Sequence, residues 1–160
     1  MADKTPASVW RNPVHFAAFG FGSGAAPVAP GTFGTLAALP IWLFVFAPLS
    51  TDAYLLTLIV ATIIGVWICH QTSADIGVHD HGGIVWDEFV GLWIALFAVP
   101  MHWFWILLGF ALFRLFDIWK PWPIGWADRR VSGGLGIMLD DVIAGIYALV
   151  VLQILVYLFS

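Results

Sequence analysis

The sequence predicts an all-α, polytopic membrane protein of about four to five short helices, with a polar active site at the cytoplasmic membrane face. Three observations carry that expectation. Of 160 residues, 61% are hydrophobic and only 10% are charged, and the mean hydropathy is +0.94. The apolar residues form continuous runs rather than alternating ones, which fits helices and not barrel strands. The charged residues gather at the ends of those runs. A soluble domain carries about 25% charge, and a chain this short hides only about 60–70% of its surface. Water is therefore the wrong solvent for most of it.

Five runs define the elements in order. The first covers residues 36–49 and contains Pro40 and Pro48; the second covers 54–69 and is nearly free of polar atoms. The third, 89–99, stops at Pro100, and the fourth, 103–119, carries Arg114 and Asp117 near its end. The fifth, 142–159, holds one Gln and no charge. Runs of 11 to 17 residues span only about 16–26 Å at 1.5 Å per residue. Some helices are then re-entrant, or the 89–119 hairpin lies shallowly in one leaflet. We expect a single domain over 1–160 with a flexible segment at 1–13, which is polar and holds Pro6 and Pro13. That segment lacks the apolar stretch and cleavage site of a secretory signal.

Basic residues orient the chain. Lys4 and Arg11 precede the first run, while Lys120, Arg129 and Arg130 lie between the fourth and fifth. Four crossings separate the two groups, so both face the cytoplasm, as does the 70–88 loop, and the C-terminus lies outside. The net charge of −4 offers no basic surface for nucleic acid. The single cysteine, Cys69, excludes an internal disulfide framework. The ten Trp fit an interfacial belt, particularly Trp103, Trp105, Trp119, Trp122 and Trp126.

On this topology four polar ends meet at one membrane face. Asp87 and Glu88 open the third helix, Arg114, Asp117 and Lys120 close the fourth, and Asp140 and Asp141 open the fifth. The Gly31–Thr35 stretch opens the first. Acids at helix N-termini complement the dipole, which is the plain structural explanation for each pair. Two such pairs plus Asp117 at one depth repel unless a cation binds between them, and Mg²⁺ is the hard, oxygen-liganded ion that suits them. Arg114, Asp117 and Lys120 share one helical arc, either as an ion-paired helix end or as cations that hold an anionic group. Gly31–Thr35 supplies N–H groups and the hydroxyls of Thr32 and Thr35, either as a phosphate seat or as a simple helix start. His79, Asp80 and His81 form either a polar interfacial loop or accessory metal and proton-transfer groups. Ser132–Gly136 reads as a flexible turn.

These residues resemble a known family. The stretches Ala29-Pro-Gly-Thr-Phe-Gly-Thr-Leu36, His79-Asp-His-Gly-Gly-Ile-Val-Trp-Asp-Glu-Phe-Val-Gly91, Phe113-Arg-Leu-Phe-Asp-Ile-Trp-Lys-Pro-Trp-Pro-Ile124 and Gly133-Gly-Leu-Gly-Ile-Met-Leu-Asp-Asp-Val-Ile-Ala-Gly145 look like phosphatidylglycerophosphatase A. The resemblance runs from about Asn12 to Gln153. It implies a Mg²⁺-requiring enzyme of the bacterial inner membrane that converts phosphatidylglycerophosphate to phosphatidylglycerol in phospholipid synthesis. On that reading Asp87, Glu88, Asp140 and Asp141 hold one or two Mg²⁺ ions. Lys120, Arg114, Thr32 and Thr35 stabilise the phosphate. Asp117 is a ligand, a base or a partner of the cations; water attack and an aspartyl-phosphate both stay open, as does homo-oligomerisation. Motifs of the CDP-lipid phosphatidyltransferases and of histidine-nucleophile lipid phosphatases are absent. The rival from another class is a small divalent-cation transporter using the same carboxylates.

Overall fold

A computed structural model describes residues 4–159, and every regular element among them is helical. In chain order these are α1 (Pro13–Ala18), α2 (Pro30–Ile41), α3 (Thr51–Ile76), α4 (Trp86–Ala95), α5 (Trp103–Trp119), α6 (Ile124–Arg130) and α7 (Gly133–Phe159). A π turn, Trp42–Phe46, prolongs α2, and short 3₁₀ helices lie at Ala7–Trp10 and Ser23–Ala25. The all-α expectation holds, while the count of four to five short helices becomes seven, two of them long. Of the segment 1–13, residues 1–3 lie outside the described residues. The remainder packs: Val9 is fully buried, and the Asn12 side chain caps α1 by accepting from the Val14 N–H at 2.9 Å. His15 then stands 3.0 Å from both Ser8 Oγ and Asp75 Oδ2, which ties this segment to the end of α3.

The two long helices correct the run boundaries. α3 continues through the polar residues 70–76 and stops at Gly77, whose left-handed φ of +75° ends it. α7 begins nine residues before the expected run, because Ser132–Gly136 leads into a helix and not a flexible turn. Hydropathy marks where a helix meets lipid, whereas the helix itself continues past that layer. At 26 and 27 residues, α3 and α7 are long and apolar enough to cross a membrane. Only 28% and 22% of their apolar windows are buried. A soluble core helix would show the reverse. Leu56, Ile59, Ile63 and Trp67 on α3, with Val150, Ile154 and Tyr157 on α7, point outward, and lipid is the solvent such a surface suits.

α4 is the buried centre. Phe89 through Ala95 are all buried, and ten residues reach only about 15 Å. The expected third crossing is therefore a half-length helix that ends inside the protein, packed among α2, α3, α5 and α7. A helix end cut off from water needs internal partners for its carbonyl groups. Tyr54 OH donates to the Trp93 carbonyl, and Gln153 Nε2 donates to the Phe97 carbonyl at 2.8 Å. Trp42 Nε1 donates to Tyr54 OH, Trp93 Nε1 to the Ala38 carbonyl and Trp86 Nε1 to the Ala61 carbonyl. Three Trp thus hold the core. Trp105 joins them at 8% exposure, contrary to the interfacial expectation, whereas Trp103, Trp119, Trp122 and Trp126 are exposed.

α4 and α7 touch backbone to backbone at Gly91 and Gly145. A Cβ on Gly145 would lie 2.5 Å from the Gly91 carbonyl oxygen and 3.1 Å from its Cα. Gly145→Val should therefore force the helices apart, at a cost of about 1–3 kcal/mol. We expect the Tm in detergent to fall by about 3–10 °C, given about 2–4 °C per kcal/mol for a chain of this size. Gly82→Ala, where an added Cβ meets nothing within 4 Å, should leave Tm within about 1 °C.

Candidate active site

The Gly91–Gly145 contact decides where the acids meet. Asp87 lies one helical turn before Gly91, and Asp141 lies one turn before Gly145, so closing the two backbones sets the two carboxylates side by side. Glu88 joins them. One oxygen each from Asp87, Glu88 and Asp141 falls within 4.8 Å of the others. Asp87 is 9% exposed and Asp141 3%. Asp87 Oδ1, Glu88 Oε2 and Asp141 Oδ2 are buried with no hydrogen-bond partner.

Helix capping accounts for part of this. Asp87 and Glu88 do lie in the first turn of α4, where the dipole favours them. Asp141 does not open its helix, because eight residues of α7 precede it, about 12 Å of axis. The dipole fades within the first turn, so it offers Asp141 nothing. Three water-poor carboxylates with orphan oxygens are an arrangement that a hard divalent cation fits, since every donor is an oxygen.

The cations surround this cluster unequally. Arg114 Nη1 is 2.5 Å from Asp117 Oδ2 and 3.8 Å from Glu88 Oε1, so its guanidinium is engaged by carboxylates. Asp117 also lies against Asp141. Lys120, which turns the chain at the end of α5 with a left-handed φ of +47°, donates to Asp140 Oδ2 and Asp128 Oδ1, both at 2.7 Å. Half-burial works against the charge of this ammonium, but its two carboxylate bonds outweigh that and hold its pKa above the ordinary lysine value. Asp140 is thereby directed to Lys120 and stands outside the three-carboxylate group, about 100° around α7 from Asp141.

The remaining expected residues fall into place as follows. Gly31–Thr35 is no loop but the first turn of α2, with Pro30 at its first position. A Cβ on Gly31 would collide with Glu88 Oε1 and lie 3.2 Å from both terminal nitrogens of Arg114. This glycine lets α2 abut the Glu88–Arg114 pair. Thr35 is fully buried and its hydroxyl donates to the Gly31 carbonyl at 2.8 Å, which removes it as a phosphate donor. Thr32 stands in the same turn, partly exposed. His79 Nε2 accepts from the Gly133 N–H at 2.9 Å and so caps α7. His81 is buried, accepts from the Gly83 N–H and packs on Phe19; it builds the turn that leads to Asp87. Asp80 is exposed beside a cavity that also touches Asp87, Asp128 and Asp140.

Asp128 was not among the expected residues. It sits among the polar residues of a seven-residue helix with no periodic signal, and only the fold brings it to Lys120. Gly91 and Gly145 were also missed, although the repeated spacing Asp-x-x-x-Gly at 87–91 and 141–145 was available to find them.

Comparison with known proteins agrees on a family. The family model for phosphatidylglycerophosphatase A matches residues 16–156. A phosphatidylglycerophosphatase A of Escherichia coli K12 is 54% identical over 136 residues, covering 84% of this chain and 78% of that protein. One of Haemophilus influenzae is 48% identical over 147 residues, covering 91% and 90%. A protein of Bacteroides thetaiotaomicron with the provisional name phosphatidylinositol-3-phosphatase is 40% identical over 142 residues, covering 84% and 88%. No solved structure matches.

The pairing of Arg114 generates a stability test. Arg114→Gln leaves Glu88 and Asp117 without their cation, at a cost of about 1–3 kcal/mol. Thermal denaturation should show Tm lower by about 3–10 °C, while Arg129→Gln, at an exposed site, should change it by less than about 1 °C.

Proposed function

Because the chain belongs to the phosphatidylglycerophosphatase A family, we propose that it hydrolyses the terminal phosphomonoester of phosphatidylglycerophosphate with Mg²⁺ held by Asp87, Glu88 and Asp141. The products are phosphatidylglycerol and inorganic phosphate, and the reaction belongs to phosphatidylglycerol synthesis. The observation that carries this reading is the group of three carboxylates with buried, unpartnered oxygens at the mouth of α4. A divalent ion bound there supplies charge neutralisation for the phosphate and acidifies an attacking water.

The chain's own residues do the rest. Water attacks phosphorus, the bond from phosphorus to the glycerol oxygen breaks, and that oxygen takes a proton as it leaves. Lys120, with one N–H beyond its two carboxylate bonds, and Arg114 stabilise charge on the equatorial phosphate oxygens. Thr32 offers a hydroxyl from the start of α2. Asp140 fixes Lys120, and Asp117 fixes Arg114 while bordering Asp141 as a candidate proton acceptor. The acyl chains stay in the bilayer against the outward faces of α3, α5 and α7.

Orientation follows from the cations. Lys4, Arg11, Arg129 and Arg130 are exposed; Arg11 precedes α1, which His15 ties to Asp75 at the end of α3, and Arg129 and Arg130 lie just before α7. The positive-inside rule places that end in the cytoplasm, and the membrane is the bacterial inner membrane. The divalent-cation transporter finds no support: the carboxylates gather at one end of the bundle, and the relatives named above are phosphatases.

Phosphate release from phosphatidylglycerophosphate in detergent micelles tests the reading. Activity should require Mg²⁺, vanish in EDTA and fall by at least about a hundredfold in Asp141→Asn. Activity that survives both changes would remove these carboxylates from the chemistry. Independently of turnover, Mg²⁺ at about 100 times its Kd should raise the wild-type Tm by roughly 5–10 °C. That rise should be absent in Asp141→Asn.

A further inference from the structure

Beside the three-carboxylate group, on the side of α7 that faces α6 and the 77–85 turn, lies a cavity of about 160 Å³. His79, Asp80, Asp87, Asp128 and Asp140 line it. Asp87 is shared with the metal-binding group, so whatever fills the cavity lies next to whatever binds there. Two lining carboxylates, Asp87 and Asp140, are more than nine-tenths buried, and each keeps one oxygen without a hydrogen-bond partner. Asp87 belongs to the metal-binding group, but the Asp140 oxygen stands outside it and calls for a donor.

The chemistry of the lining selects among occupants. A phosphate is disfavoured inside the cavity itself, because four carboxylates face the space and Lys120 is not among the residues that line it. A second divalent ion is disfavoured for two reasons. Lys120 already brings positive charge to Asp128 and Asp140. His79 Nε2 accepts the Gly133 N–H, so that lone pair is already used and the ring proton sits on Nδ1, a donor instead of a metal-binding lone pair. Acceptors from the carboxylates and a donor from imidazole together match a hydroxyl group, which both donates and accepts.

We propose that this cavity is the headgroup subsite, which takes the secondary hydroxyl of the glycerol carbon next to the phosphorylated one. The hydroxyl donates to the carboxylates at the Asp80–Asp140 rim and accepts from His79. This inference rests on the phosphatase reading above and adds the element of the substrate that sets specificity. A lipid whose phosphomonoester lacks a neighbouring hydroxyl leaves the buried Asp140 oxygen unpaired, and a site built to bond a hydroxyl rejects the analogue without it. Asp80 is the residue to probe, because it is exposed, makes no ion pair, and lines the cavity without belonging to the three-carboxylate group.

The experiment compares kcat/KM for phosphatidylglycerophosphate and for its deoxy analogue, in which propane-1,3-diol replaces the headgroup glycerol. Wild type and Asp80→Ala are assayed with both lipids in the same micelles, with Tm as a check on folding. Wild type should prefer the hydroxyl-bearing lipid by about 10–100-fold, the effect of a hydrogen bond to a charged group. Asp80→Ala should reduce that preference to about threefold or less, by slowing hydrolysis of the hydroxyl-bearing lipid alone. His79→Gln, which retains a side-chain donor, should keep more of the preference than His79→Ala. Equal rates on the two lipids in wild type, or an equal loss on both in Asp80→Ala, would overturn the subsite while leaving the phosphatase intact. Loss of a second Mg²⁺-binding event in Asp80→Ala would overturn it in favour of a cation. Failure of folded wild type to release phosphate from either lipid would instead remove the phosphatase reading, and the subsite with it.

Discussion

Everything at this site depends on how closely two helix backbones approach. Gly91 on α4 and Gly145 on α7 remove the side chains that would otherwise separate the helices, and the contact there leaves no room for a Cβ. Each glycine follows an aspartate by one turn, so the contact turns two acids that are distant in sequence into immediate neighbours. The energetic conflict is built in. Packing favours the close crossing, while the carboxylates it brings together repel in a medium with little water to screen them. A site that gathers like charges by backbone packing stores a demand for a cation.

The same packing explains how a short helix ends inside the protein. α4 is too short to cross and ends among other helices, where unsatisfied carbonyl groups cost several kcal/mol each in hydrocarbon. Tyr54 and Gln153, polar residues inside otherwise apolar spans, supply the hydrogen bonds that this dead end requires. The stacked and edge-on rings of Phe46, Tyr54, Trp86, Phe89 and Trp93 fix α4 laterally. Rigid support on all sides holds Asp87 and Glu88 in place, which preorganised electrostatics at a phosphate demands.

Charge is distributed with economy. Of six Lys and Arg residues, Arg114 and Lys120 pair with the acids of the site, and the other four are exposed. The inner two neutralise carboxylates that would otherwise destabilise the fold.

The sequence by itself determined the helical class, the apolar surface that suits lipid, the α5 boundaries and which acids stand at helix ends, because composition and apolar periodicity are local properties. It also drew the charged residues to the ends of the apolar runs, since charge is tolerated there and not at their centres. The full helix ends were less legible: residues 70–76 are largely polar and 133–141 are glycine-rich and end in two aspartates, so neither reads as an apolar run although both are helical. Only the tertiary structure separated Asp140 from the group formed by Asp87, Glu88 and Asp141. Adjacent residues on a helix point about 100° apart, and which of two faces a neighbour is set by packing at Gly91 and Gly145. Likewise, Thr35 and His81 became framework and Asp128 became part of the site through contacts between segments far apart in the chain. Residue type announces the chemistry a side chain can do; the partner across the helix interface decides whether it does it.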